Sequence, residues 1–130
     1  MAYGHNRWGW TFSIVNQNGK WNLTFKISQS KYNLRLLYYI KKRLGVGSVN
    51  EEKNTEMANY RIRDRKVLKQ VIFPIFDQFP LLTSKQFKYE RFKKAYDILE
   101  NPIITKFEKD DQIKGLLAME LPSDDISLNL

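Results

Sequence analysis

The stretch Trp21 to Gly45, "WNLTFKISQSKYNLRLLYYIKKRLG", changes period in its middle. Over Trp21 to Ser28 apolar and polar residues alternate. Trp21, Leu23, Phe25 and Ile27 fall on one side of an extended ribbon, and Asn22, Thr24, Lys26 and Ser28 on the other. Through "YNLRLLYYIKKRLG" the spacing becomes helical, with Leu34, Leu37, Tyr38 and Ile40 or Lys41 recurring on one side. Lys41, Lys42 and Arg43 stand in the last turn, where the helix dipole favours cations, and Gly45 stands just past it, where a left-handed cap favours glycine. A strand with one core face runs into an amphipathic helix.

The same reading extends to both sides. Upstream, Gly9 to Val15 is strand-like and is joined to Trp21–Ser28 by Asn16-Gln17-Asn18-Gly19-Lys20, a link whose Asn-Gly pair tolerates positive φ and predicts a hairpin. Downstream, "GVGSVNEE" and "ANYRIRD" predict a second hairpin through the polar "KNTEM". In it Tyr60 and Ile62 share one face, and Arg61 and Arg63 the other. Arg65 to Phe79 has helical period, with Pro74 inside it to kink or end it. Ser84 to Glu100 is a helix with a Ser/Thr cap and a stripe of Tyr89, Phe92, Ala95, Tyr96 and Leu99, while Phe87 lies off the stripe. A weaker helix covers Asp110 to Glu120, with Asp110 and Asp111 as N-caps or solvated acids, and Leu121-Pro122-Ser123 opens a loose end. The order β-β-α-β-β-α-α predicts an α+β fold with both hairpins in one antiparallel four-stranded sheet and helices on one face.

Charge separates along this order. Residues 1–50 hold eight Lys or Arg and no acid, residues 51–94 hold eleven against six, and residues 95–130 hold three against eight. The net of +8 is therefore concentrated where the strands are. That asymmetry points to a polyanion, nucleic acid before an anionic membrane surface. The chain has no cysteine, which excludes disulfides, zinc thiolates and thiol nucleophiles. Apolar runs fall far short of the roughly 20 residues of a membrane span, and Met1 to Trp10 lacks the apolar core of a secretory signal. A soluble intracellular or organellar protein with no membrane partner is expected. At 130 residues a single domain is expected.

Three pieces carry a resemblance: "LTFKISQSKYNLRLLYYIKKRLGVGSV", "NYRIRDRKVLKQVIFPIFDQFPLLTSKQ" and "FKKAYDIL". They resemble one module of the LAGLIDADG homing endonucleases and their maturase relatives over about residues 11–99, with residues 100–130 as an acidic extension. The resemblance implies a saddle-like sheet lying along the DNA major groove. It also implies a preceding helix that carries the LAGLIDADG stretch and ends in an acid holding a divalent metal. Here "MAYGHNRWGWT" precedes the first strand, and the place of that acid falls near Trp8 to Trp10, with no Asp or Glu. By the same resemblance Gln29 matches a residue that orders active-site water, and Lys85 a basic residue beside the scissile phosphate.

The functional expectation follows. It is a nucleic-acid-binding protein without its own cleavage activity, holding RNA or DNA through Asn22, Thr24, Lys26, Ser28, Arg61 and Arg63, with Lys20 and Lys31 beside them. Tyr3, Trp8 and Trp10 with Arg7 are candidates for stacking on bases, Trp10 alternatively covering the sheet edge, and His5 stands without a carboxylate partner in sequence. Expected partners are RNA or DNA, a larger ribonucleoprotein such as an organellar ribosome, or a second LAGLIDADG module. The resemblance implies a mitochondrial or other organellar location. Two alternatives stand beside this reading: a site-specific DNA endonuclease module completed by another chain, for which Mg²⁺ would be the cofactor, and an RNA maturase assisting intron splicing.

Overall fold

The structure, a computed structural model, describes residues 9–119. The expectations for Tyr3, His5, Arg7 and Trp8 and for the end beyond Met119 lie outside those residues, while Gly9 and Trp10, within the place expected for the metal-binding acid, are described. Two compact units meet in sequence between Ile72 and Phe73. No helix among the described residues is long and apolar enough to cross a membrane.

In the first unit β1 (Gly9–Gln17) and β2 (Lys20–Ser30) form a hairpin. The turn is Asn18-Gly19 alone, both at positive φ (54° and 82°), so both strands run longer than alternation indicated. This primed two-residue turn matches the twist of its strands. After one 3₁₀ turn, Lys31–Asn33, comes α1 (Leu34–Leu44), whose end is closed by Gly45 at φ 75° with its N–H donated to the Lys41 carbonyl. Then β3 (Ser48–Glu51) and β4 (Met57–Ile62) complete an antiparallel sheet in the order β1-β2-β4-β3.

Register assigns every strand residue to a face. Phe12, Phe25 and Ile62 form one row, and Trp10, Ile27, Tyr60 and Val49 the next. Leu23, Phe25, Tyr60 and Ile62 are buried, and Leu37 of α1 is fully buried. Tyr60 donates its hydroxyl to the Val46 carbonyl at 2.6 Å, which ties the end of α1 to this apolar face. The expected alternation of both hairpins is present, and α1 lies on the apolar side.

Residues 65–78 form one helix, α2, built of an α turn (Arg65–Val67), a π turn (Leu68–Ile72) and an α segment (Phe73–Gln78). Asp64 caps it through the Lys66 and Val67 amides. Pro74 neither ends nor breaks it. Proline has no N–H for a helical bond and its ring crowds the carbonyl four residues back, and the wider turn just before it relieves both demands.

In the second unit α3 (Thr83–Glu100) starts from Leu82, which has no side-chain cap. The expected Ser/Thr cap is not formed: Gln86 Oε1 instead accepts the Leu81 amide at 2.9 Å. The expected stripe is buried at Tyr89, Phe92, Ala95 and Tyr96, and Phe73 meets three of those rings edge-on at 5.3 to 6.2 Å. The last helix, α4 (Lys106–Leu117), begins four residues earlier than expected. Thr105 and Glu108 form a reciprocal capping box, so Asp110 and Asp111 lie inside the helix and not at its cap.

Candidate nucleic-acid interface

The second face of the sheet is polar. Its central row runs Thr11, Lys26, Arg61, Ser48 across all four strands. On one side lies the row Gly9, Ser28, Asn59, Asn50, and on the other the pairs Ser13–Thr24, Val15–Asn22 and Gln17–Lys20. Glu51, the strand acid, pairs with Ala58 and belongs to the apolar face, so no acid stands on the polar face of any strand. Lys26 and Arg61 are direct cross-strand partners, and neither makes an ion pair among the described residues. Like charges placed opposite each other destabilise a sheet by roughly 0.2–1 kcal/mol. The fold bears this cost at the centre of its most polar surface.

The neighbouring groups are small donors and acceptors. Asn22 Nδ2 donates to Gln17 Oε1 at 3.2 Å across the hairpin, and Asn50 Nδ2 to Ser48 Oγ at 3.4 Å. Asn59 is 6% exposed, and its Oδ1 has no donor among the described residues. Thr11, Ser13, Ser48, Asn50 and Asn59 were not among the candidates read from sequence. For Thr11 and Ser13 the signal was available in the alternation of "TFSI", whereas the placement of Ser48 and Asn59 depends on strand pairing.

Of the sequence candidates, Asn22, Thr24, Lys26, Ser28 and Arg61 come together on this face, with Lys20 at its hairpin end. Arg63 is exposed one residue past β4 and lies off the ladder. Lys31 sits in the 3₁₀ turn after β2, half-buried, its amide donated to the Glu56 carbonyl at 2.7 Å. Trp10 lies within β1 opposite Ile27 and is half-buried. Gln29 pairs with Ala58 on the apolar side of the ladder, and its Oε1 accepts from Asn33 Nδ2 at 3.0 Å.

Lys85, in the second unit, stands in the first turn of α3. Burial first, and then the charge of Lys88, hold its pKa below that of an ordinary lysine. Asp77 is committed elsewhere: Tyr89 Oη and Lys93 Nζ both donate to its Oδ1, at 2.7 and 2.8 Å. Those two bonds, Lys93's first, lower the Asp77 pKa, while burial first and Asp77 second raise that of Tyr89. Among the described residues no group of three or more His, Asp or Glu side chains gathers.

Comparison with known proteins agrees with this geometry. A family profile described as LAGLIDADG endonuclease matches residues 10–96. A probable intron-encoded endonuclease, Cox1-I1b, of Schizosaccharomyces pombe is 50% identical over 103 residues, covering 79% of this chain and 27% of that protein. Probable intron-encoded endonuclease 3 of Neurospora crassa is 29% identical over 129 residues, covering 87% and 24%. The chain thus spans about a quarter of the length of these curated relatives. Among solved structures, the homing endonuclease I-LtrWI bound to target DNA superposes with a TM-score of 0.70 at 27% identity, over 82% of this chain and 38% of that one. I-TnaI, also a homing endonuclease, does so at 0.70 and 25% identity, over 88% and 80%. A sheet with one apolar and one acid-free polar face, an α+β order of elements and these matches together place the chain in the LAGLIDADG endonuclease family.

Proposed function

We propose that this chain is a DNA-holding module of an intron-encoded homing endonuclease, and that it lays the polar face of its sheet along a duplex. The observation that carries this is the Lys26–Arg61 pair, two adjacent cations on a face without an acid. A phosphate backbone removes their mutual repulsion, and the surrounding hydroxyls and amides suit base edges in a major groove wide enough for β-strands. I-LtrWI, which shares the fold, was solved on its target DNA, and the most similar relatives named above are probable intron-encoded endonucleases. Those names favour the endonuclease reading over a ribonucleoprotein role, and intron encoding accords with an organellar location.

Within this proposal the chain's own residues bind and orient. Lys26 and Arg61 fix the backbone, and Asn22, Thr24 and Ser28 face the bases. Gln29, held by Asn33, and Lys85, with its lowered pKa, are the groups to order water and to stabilise charge on a phosphate. Carboxylates for Mg²⁺ would come from beyond the described residues or from a second LAGLIDADG module, in keeping with the share of its relatives that this chain spans.

The test is duplex binding by the full chain and by Lys26→Ala, Arg61→Ala and the double variant. The expected result is a loss of roughly 10-fold or more in the double variant, from charge-assisted contacts that are individually modest. Unchanged affinity in that variant would remove the sheet face as the interface.

A further inference from the structure

The second unit carries a groove that neither its core nor the sheet face uses. It lies between α3 and α4, holds about 460 Å³ and is largely apolar, with Ile98 of α3, Gly115 and Leu116 of α4 and Met119 just past that helix among its walls. Exposed Lys94 and Asp97 stand at its rim. The α4 side runs from Gln112 to Met119 along one helical stripe about 10 Å long. Gly115 keeps the groove open, since a Cβ there would have nothing within 4 Å. Met119, 47% exposed, is both a wall of the groove and the point from which the chain continues. Lys94 makes no ion pair among the described residues.

We infer that this groove is the docking site of the chain's own following segment, residues 123–130, laid along it in extended form. In that segment Ile126, Leu128 and Leu130 alternate with Asp125, Ser127 and Asn129, so an extended backbone puts all three apolar side chains on one side. They span about 13 Å, close to the length of the α4 wall. Pro122 has no N–H with which to prolong α4, so the chain leaves the helix axis. The link from Met119 to Ser123 reaches about 14 Å when extended, which is enough to turn back along the groove. Charge agrees with this path. From residue 120 onward the chain holds Glu120, Asp124 and Asp125 and no base, which suits Lys94, while Asp97 repels the acids and leaves them to the Lys94 side. A tethered segment stands at an effective concentration in roughly the millimolar range, so it takes the groove ahead of a second copy or a foreign peptide at micromolar concentration.

The experiment is solution NMR on the full chain with its methyl groups labelled. The methyls of Ile126 and Leu128 are expected to show NOEs to Ile98, Leu116 or Met119, and backbone order parameters over residues 124–128 to lie near roughly 0.8, against below about 0.6 for a free segment. In Gly115→Leu a side chain fills the groove and a helical glycine gives way to a better helix former, so α4 is expected to keep its helical chemical shifts. Those NOEs should then be lost and the order parameters fall to the free value. Ile126→Asp with Leu128→Asp should release the segment in the same way while the groove stays intact. A mixture of labelled and unlabelled chains, read with isotope filters, separates contacts within a chain from contacts between copies. Order parameters at the free value in the unaltered chain, NOEs that Gly115→Leu leaves in place, or contacts only between copies would overturn the inference. Duplex binding enters none of these readouts, so they stand apart from the sheet face.

Discussion

Gly47 and Tyr60 occupy the same space from two directions. A Cβ on Gly47 would stand 2.5 Å from two atoms of the Tyr60 ring, and the φ of +94° is one that side chains rarely adopt. The ring cannot withdraw, because Tyr60 is wholly buried and its hydroxyl is held by the Val46 carbonyl. Gly47→Ala should therefore cost about 2–4 kcal/mol from overpacking and backbone strain together, read as a drop in the midpoint of chemical unfolding. At Asp77 the effect depends on pH. Its pKa is depressed, so its contribution is complete above the ordinary carboxylate value of 3.8 and is lost as pH falls through the lower folded value. Lys93 has a raised pKa, so its share is complete below 10.5 and is lost as pH rises through the higher folded value. Asp77→Asn should flatten the acid limb of stability against pH, and an unchanged limb would show that the charge of Asp77, held by Lys93 and Tyr89, contributes nothing to that limb. Among residues, alternation reveals which side of a strand Lys26 takes, but only pairing through the order β1-β2-β4-β3 reveals that Arg61 stands beside it.

At the scale of elements, α2 places a π turn ahead of a proline. A π turn contains one more residue than the α turn it replaces, so it also sets the helical phase of Phe73 and Phe76. Deleting exposed Gln70 would regularise the turn and push the Pro74 ring against the preceding carbonyls. The deletion should destabilise the chain by about 3 kcal/mol, and Pro74→Ala added to it should recover most of that loss, measured by thermal unfolding. Equal stability with and without the proline would separate the π turn from Pro74. The strand periods, the Asn-Gly turn, the Gly45 cap and the ring stripe of α3 were all legible, because each rests on neighbours within a few residues. The start of α4 was legible too, in Thr105-Lys106-Phe107-Glu108, and the acidic pair Asp110-Asp111 drew the expected start away from it. The π turn and the Gln86 cap were not legible, since each is a response of the backbone to its surroundings. Thr105→Ala should cost about 1 kcal/mol of helix stability, seen as faster amide exchange in the first turn of α4.

For the molecule as a whole, charge placement sets the behaviour with salt. Each phosphate neutralised contributes about −0.9 to the slope of log affinity against log salt, so the double loss of Lys26 and Arg61 should make that slope shallower by about 2. An identical slope would mean that neither reaches the backbone. The first fifty residues reach this behaviour by having no acid, which makes their one exposed Asn-Gly turn a point of chemical ageing. An asparagine followed by glycine is the sequence in which the next backbone nitrogen most readily attacks the side-chain amide carbon, expelling ammonia and closing a succinimide that water then opens to aspartate or isoaspartate. At Asn18 that reaction would put the first negative charge into the basic hairpin, two residues from Lys20. Stored protein would thus divide into an older and a younger form that differ by one charge and elute apart on a cation exchanger, with the older form holding DNA less tightly.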